Sequence, residues 1–500
     1  MDERVHILSE PELEFGYQER LHDPHDGLAL FGPSDSKTSS QPRSITYGVI
    51  GTDAGVEAFR KWVEVINKPV ISQETLKNPR LWPPFPGFEA TFHSILPISP
   101  ARIQALDYST LLIAANNRDP HKRAGELVKM YLNGIELAKK RDDIFNLLVC
   151  VVPDYVWRNC RPLSRVSNGI GQRISADERR ARASGQLDWI EQYNPIEYSM
   201  SVDFRRQIKA RSMRFDAPLQ LVRESTISPP GLSTARLNLS PISDRAWNLC
   251  TAIYYKGGGK PWRLATAREG VCYIGMAFRR TNPNLQNATA CCAAQMFLDS
   301  GDGIVFLGEY GPWYSEEKRE CHLSRKAAKD LLEGILKTYS KLDGRELTEV
   351  FLHYRSSIND EEISGYRDAL PRGVRLVGIR VRLERHGIRL FRAGTRPVMR
   401  GTVWILNDRT AFLWGSGFKP RLGTYDGWEV PIPLRIDIQY GDADILQVAK
   451  DILGLTKLNY NACRLGESEP VTIGFSDAVG EILVSNPTVT DRRPNFKYYI

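Results

Sequence analysis

Unbroken apolar runs alternate along this chain with segments whose apolar positions recur every three or four residues, a pattern that predicts strands and helices in turn. SITYGVIGT at 44–52 reads as a strand, and Val56 to Asn67 carries helical spacing. The polar, Ser-rich stretch 34–43 reads as a loop, and the Pro-rich run LWPPFPGFEA at 81–90 as an irregular connection, because each proline lacks a backbone donor. GELVKMYLNGIELAKKRDD at 125–143 predicts a helix with basic residues near its C-terminus, where they complement the helix dipole. It feeds into FNLLVCVVPDY at 145–155, an apolar run of the kind found in parallel strands buried on both faces. DFRRQIKARSMR (203–214) and APLQLVREST (217–226) repeat the helix-then-strand order.

Beyond a basic, Pro-bearing region at 227–245, strands are predicted at 270–278, 303–309, 349–354, 375–384 and 401–407. Helices are predicted at 324–341, 443–455 and 474–483. The expected fold class is α/β: an N-terminal arm and packing segment over 1–90, a Rossmann-like domain over 91–240 and an RNase H-like domain over 241–500.

Composition narrows the function only a little. The 500 residues are 42% hydrophobic and 25% charged, enough for two or three domains with real cores. The eight cysteines form no CxxC pair and no zinc-spaced cluster, so they read as small core residues in a reducing compartment. No apolar run approaches the ~20 residues needed to span a bilayer, and the N-terminus lacks a signal-peptide pattern, so a soluble, cytoplasmic protein with no membrane partner is expected. The net charge of +8 has the sign that nucleic acid would want, but its distribution says more. Residues 371–400 hold nine arginines against one glutamate. On a strand, Arg380 and Arg382 face one side while Ile379, Val381 and Leu383 face the other, a stripe suited to tracking phosphates.

A second basic constellation has more specific spacing. Arg205 and Lys209 stand four apart on a predicted helix, Gln220 follows eleven residues later, and Lys256 precedes the glycines 257–259. An i,i+4 basic pair alone is ordinarily a solvated helix face. Several donors converging on one point are what a terminal phosphate requires.

With these residues in view, three stretches resemble the Argonaute family in the order that family uses: 203–226, AWNLCTAIYYKGGGKPWRLA at 246–265, and LTKLNYNACRLGESEPVTIGFSDAVGEIL at 455–483. The resemblance covers roughly 145–500 and extends to SEPELEFGYQERLHDPHDGLALFGP at 9–33. It implies that 91–240 is a MID domain, that 241–500 is a PIWI domain, and that the chain is a short prokaryotic Argonaute without N and PAZ domains. Arg205, Lys209, Gln220 and Lys256 would then hold a guide 5′ phosphate, with Arg205 standing where the family carries a stacking residue. The resemblance further implies a Mg²⁺ ion between that phosphate and the C-terminal carboxylate of Ile500, and contacts from Arg389 and Arg392 to the guide and target backbones.

The family's metal-holding aspartates would fall at Met276 and Ser356, so both catalytic positions are vacant and the chain is not expected to be an enzyme. Glu309, Glu316 and Glu317 lie between them as loop residues, and His353 reads as structural. By resemblance the partners are a small guide RNA, single-stranded target DNA of plasmids or phage, and an APAZ-domain effector protein carrying sirtuin-like, TIR or nuclease activity. Two alternatives stay open: an active RNase H-like guided nuclease, and a scaffold that binds nucleic acid without a guide.

Overall fold

The computed structural model describes residues 4–140, 145–166, 198–228, 239–280, 290–297, 303–311, 313–315, 320–342, 346–385, 387–425, 427, 429–484, 486 and 493–500; for 280, 290–297, 303, 306–310, 341–342 and 484 it describes the backbone alone. After a short strand Val5–Ile7 (β1), the first unit is built from Tyr47–Gly51 (β2), helix Asp53–Ile66 (α1), Arg102–Ala105 (β3), Pro120–Lys139 (α2), Leu147–Val152 (β4), Phe204–Ser212 (α3) and Leu219–Arg223 (β5). The four strands are parallel in the order β3-β2-β4-β5. Every residue of β4 is buried, as its continuous apolar run requires.

β2 and α1, which belong to this sheet and its crossover, both precede residue 91. Parallel neighbours need a long crossover, and α1 with the Pro-rich run supplies the one from β2 to β3. The N-terminal arm joins the other unit instead. β1 pairs antiparallel with Thr402–Asn407, and Leu13, Phe15 and Leu28 are buried in the main core.

Helix Ile242–Lys256 (α4) links the two units. It buries Ala246, Trp247, Cys250, Ile253 and Tyr254, and one hydrophobic cluster runs from Tyr47, Val49 and Val151 through α4 into the second sheet. That sheet comprises Val271–Arg280 (β6), Ala290–Phe297 (β7), Gly303–Gly311 (β8), Glu349–Tyr354 (β9), Arg375–Leu383 (β10), Thr402–Asn407 (β11), Thr410–Leu413 (β12) and Leu434–Tyr440 (β13), with β1 at its edge, in the order β1-β11-β12-β13-β10-β9-β6-β7-β8. The antiparallel run β6-β7-β8 followed by parallel β9 and β10 makes it a mixed sheet. Helix Arg325–Leu342 (α5) packs with Asp360–Ala369 (α6) on one face; Ile445–Leu455 (α7) and Val471–Val484 (α8) cover the other. Gly275 of β6 permits the approach of α8, because a Cβ there would stand 1.7 Å from the Thr472 carbonyl oxygen.

Candidate functional site

The side chain of Asp203 caps α3 by accepting from the Arg206 amide, which fixes where the helix begins and hence the face that Arg205 and Lys209 share. β5 enters the sheet beside β4 and carries Gln220, and the C-terminal end of α4 delivers Lys256. Arg205, Lys209, Gln220, Lys256 and Ile500 all line a single cavity of about 300 Å³, so the structure brings the five predicted residues together. Ile500 is held there because Phe496, Tyr498 and Tyr499 pack against Val479, Ile482 and Leu483 of α8. The Tyr498 hydroxyl also donates to Asp216 at 3.0 Å.

Lys209 and Lys256 are 2% and 1% exposed. The Lys256 amine donates to Gln220 Oε1 at 2.5 Å, and Lys209 donates to the Leu219 carbonyl and, at 2.5 Å, to the main-chain oxygen of Ile500. No carboxylate side chain lines the cavity. Burial and the neighbouring Arg205 push the Lys256 amine down to about 7. Burial, with Lys256 and Arg205 nearby, holds Lys209 well below the ordinary lysine range, and burial also lowers Arg205. The cavity is a cluster of cations under mutual repulsion, which an anion would relieve.

Four lining residues were not anticipated from the sequence: Trp157, Arg161, Leu221 and Asn461. The Arg161 guanidinium lies 4.4 Å from the centre of the Trp157 ring and 3.5 Å from Asp203. Their i,i+4 spacing is the same signal that singled out Arg205 and Lys209, but a Trp–Arg pair at a strand end reads equally well as packing. Asn461 lies within a stretch that carried the family resemblance, yet nothing about its residue type marked it.

The two positions at which the resemblance expects carboxylates, Met276 and Ser356, lie on and just beyond neighbouring strands. β9 lies parallel to β6 with His353 opposite Gly275, which sets Tyr354 beside Met276. Met276 is buried in an apolar cluster with Ile274, Leu332, Leu352 and Tyr354, and the Tyr354 and Tyr366 hydroxyls meet at 2.5 Å. Ser356 lies half-buried just beyond β9. The Arg355 guanidinium is held by Glu469 at 2.9 Å and Asp477 at 2.8 Å. His353 is fully buried with Nδ1 2.8 Å from the Thr472 hydroxyl, and burial pushes its imidazole down to about 3. The Glu309 side chain, Glu316 and Glu317 lie outside the described residues.

A nearby trio escaped the sequence reading: His322 sits 3.2 Å from Glu320 and 3.0 Å from Glu362. Glu362 also accepts from the Leu323 and Asn359 amides, so it pins the start of α6 to the chain before α5. Among the described residues no group of three or more His, Cys, Asp or Glu side chains could hold a metal ion. At Ile500 the fit to Mg²⁺ is poor, because Lys209 already donates to one oxygen of the terminal carboxylate and the remaining lining side chains are cationic or neutral, so no second anionic ligand stands beside it.

The arginine-rich stretch divides. Arg380 and Arg382 share a half-exposed face of β10, opposite the buried Ile379 and Val381. Arg435 and Asp437 of β13 stand beside them in register, 2.9 Å from each other. Arg392 is exposed. Arg389 instead folds onto its own loop, donating to the Ile388 carbonyl at 3.0 Å and the Arg385 carbonyl at 2.9 Å. Arg400 leaves the surface altogether: 4% exposed, it donates to Glu10, to the Gly415 and Glu467 carbonyls and to Thr456.

Comparison with known proteins separates sequence from fold. No family model matches the chain, and no curated protein matches it. Solved structures do. Clostridium butyricum Argonaute, solved with a guide DNA and a 19-mer target DNA, is 14% identical with a TM-score of 0.63, the match covering 97% of this chain and 53% of that one. Aa-Ago with externally bound siRNA is 12% identical with a TM-score of 0.56 over 99% of this chain and 56% of that one. A. aeolicus Argonaute is 12% identical with a TM-score of 0.55, over 95% and 52%. The chain spans about half the length of these proteins and has the α/β fold of an Argonaute MID–PIWI pair. Among the described residues, no helix is long and apolar enough to cross a membrane.

Proposed function

We propose that this chain holds the 5′-phosphorylated end of a small guide RNA and pairs the guide with single-stranded target DNA, without cutting the target itself. The observation that carries this reading is the convergence of Arg205, Lys209, Gln220 and Lys256 on one cavity that no carboxylate side chain lines. A terminal phosphate matches such a site in size and charge, and buried donors gain strength where water is excluded. The face of Arg380 and Arg382, with Arg392, would follow the backbones of the guide and target; sequence would be read by base pairing. The absence of cutting is supported by Met276 and Tyr354, which fill with apolar and hydroxyl-bonded packing the place where paired carboxylates would have to hold metal ions.

A subunit that recognises without reacting needs another chain to act. We assign that role to an APAZ-domain effector, sirtuin-like, TIR or nuclease, in a heterodimer that responds to invading plasmid or phage DNA. The guide end is held in this reading by the cationic side chains, and Lys209 competes with any Mg²⁺ for the Ile500 carboxylate. Sequencing the nucleic acid carried by the purified protein tests the reading. Short RNAs of uniform length sharing a 5′ phosphate are expected, whereas fragments of mixed length and random ends would favour a guide-free scaffold.

A further inference from the structure

The loop that follows β10, RHGIRLFRAGTR at 385–396, holds four arginines, one histidine and no acid. Within it Phe391 is 73% exposed. Single exposed apolar side chains are ordinary on protein surfaces, but Phe391 differs in how the chain holds it. Ile388 and Leu390 pack inward on the cluster of Val398, Phe412 and Trp414. The Arg389 guanidinium braces the turn before it, donating to the Ile388 carbonyl at 3.0 Å and the Arg385 carbonyl at 2.9 Å. Beyond it, Arg396 lies 4.6 Å from the centre of the Phe418 ring, and the Phe418 amide donates to the Val398 carbonyl at 2.8 Å. The ring is thus presented by a loop anchored on both sides, so little freedom is lost when something stacks on it. Two other strongly exposed aromatic rings are answered within the chain: Tyr17 by the Lys37 amine at 4.8 Å, and Tyr108 by the Tyr155 ring at 5.8 Å.

Charge indicates what would cover this ring. Arg385, Arg392 and Arg396 are exposed on either side of it in the chain, and Glu384, the nearest acid in sequence, lies 3.9 Å from Arg382. The loop continues directly from Arg380 and Arg382, and Arg380 donates to the Arg355 carbonyl at 3.2 Å, so the basic face and the loop leave the same end of the sheet, where β9 and β10 finish. A polyanion that carries flat apolar rings matches both features, and single-stranded nucleic acid is such a molecule. Inside a duplex the neighbouring pairs cover each base face, so a protein ring finds a free face only on a base outside the stack.

Resting on the proposed pairing of guide with target, we propose that Phe391 is a stacking platform for an unpaired base of the target DNA, outside the segment paired with the guide, with the exposed arginines of the loop taking the adjoining phosphates. Every base has a face to stack, so the contact holds target DNA without reading its sequence.

The experiment measures binding of the full-length, guide-loaded protein to three complementary DNAs: one trimmed to the guide, one extended at both ends by unpaired nucleotides, and one extended by the same number of abasic residues. The extended DNA should bind about 5- to 150-fold more tightly than the abasic one, the range expected for stacking of one base. Phe391→Ala should remove that difference, leave the trimmed and abasic DNAs bound as before, and keep the slope of log affinity against log salt, because no phosphate contact is lost. Phe391→Trp should retain the difference. The side chain is exposed, so neither variant should shift the melting temperature. Equal affinity of the wild type for extended and abasic DNAs overturns the platform, as does an alanine variant that binds the extended DNA like the wild type, the result expected if the ring meets a protein instead. A loss of the same size on the trimmed DNA also overturns it; in each of these cases guided pairing still stands. Failure of the wild type to bind the trimmed complementary DNA overturns both.

Discussion

Replacing Lys256 with methionine separates a binding role from a folding role. The substitution keeps the apolar stem and most of the volume of a side chain that is 1% exposed. It removes the amine from its 2.5 Å contact with Gln220 Oε1, leaving that oxygen without its donor, a cost of about 1–3 kcal/mol. Against this stands the relief of a buried amine surrounded by like charges, which acts in the opposite direction. The two largely offset, so the melting temperature of the empty protein should move by no more than a few degrees. Binding has no such compensation. A charge-assisted hydrogen bond to phosphate contributes about 1.5–3 kcal/mol, so affinity for a 5′-phosphorylated RNA should fall roughly 10- to 150-fold. Fluorescence anisotropy with 5′-phosphorylated and 5′-hydroxyl RNAs of one sequence, beside thermal melts, reads both quantities. An equal loss for both RNAs would show that Lys256 supports the fold or a distant surface, and the assignment of the cavity to a terminal phosphate would fail.

The rest of the site makes its own predictions. Purified protein loaded with guide and given complementary DNA with Mg²⁺ or Mn²⁺ should leave the DNA intact on a denaturing gel; a discrete product would restore the slicer reading. Met276→Asp should restore no cutting and should lower stability by about 3 kcal/mol or more in a denaturant titration, because it places an unpaired carboxylate among Ile274, Leu332 and Tyr354; a neutral effect would mean the position is wetter than its packing implies. Arg380→Ala with Arg382→Ala should reduce the slope of log affinity against log salt by about 1.4–1.8 without changing preference for the 5′ group, and an unchanged slope would remove that face from the phosphate path. His353, whose imidazole is held at about 3 in the fold, must be charged on unfolding in acid. Its folded value lies below that of the unfolded chain, ~6.5, so the wild type should lose stability relative to His353→Gln as pH falls from ~6.5 toward 3, by up to about 1.4 kcal/mol per unit. Parallel stability curves for the two proteins would refute the burial argument.

Periodicity located the elements that are strongly patterned and missed those that are not. The buried run of β4 and the amphipathic α2 and α5 were legible because burial on both faces, or along one stripe, leaves a continuous or helical apolar pattern. Thr410–Leu413 was missed because four residues hold too little pattern, and Leu434–Tyr440 because LRIDIQY interleaves charges with its buried positions beside a Pro-rich approach. Composition is a poor guide to how the segments before residue 91 are tied in. Segments 34–43 and 81–90 look like linkers by composition, yet the chain on both sides of each is tied into one fold: Ser34 donates to the Lys260 carbonyl and Trp247 to the Pro84 carbonyl. In the arginine run, nothing in the sequence singled out Arg400 as a buried member, because charge alone cannot reveal a buried partner nearly four hundred residues away in sequence.

That distant partner shows why the cavity reads as a binding site. Arg400 and Lys457 are buried around Glu10, at 3.0 Å each, and Glu10 keeps a lowered pKa because their charges outweigh the desolvation that opposes it. Arg268 is likewise shared between Glu349 at 2.6 Å and Asp451 at 2.7 Å. In these places the fold sets buried or half-buried cations beside carboxylates and the charge is answered within the chain, which is the condition under which buried ions are tolerable. Around Lys209 and Lys256 the same chain buries two amines, adds Arg205 and Arg161 at the wall, and sets against these four basic groups only amide and carbonyl oxygens and the C-terminal carboxylate of Ile500. A fold able to pair its buried charges elsewhere has answered these only in part, with one terminal carboxylate, and an anion from outside the polypeptide would answer the excess. Supplying a carboxylate from within should therefore stabilise the empty protein and abolish the site. Gln220→Glu, which places a negative charge 2.5 Å from Lys256 at the same volume, is expected to raise the melting temperature while eliminating the preference for a 5′ phosphate; retention of that preference in the stabilised variant would break the link between the unanswered charge and the ligand.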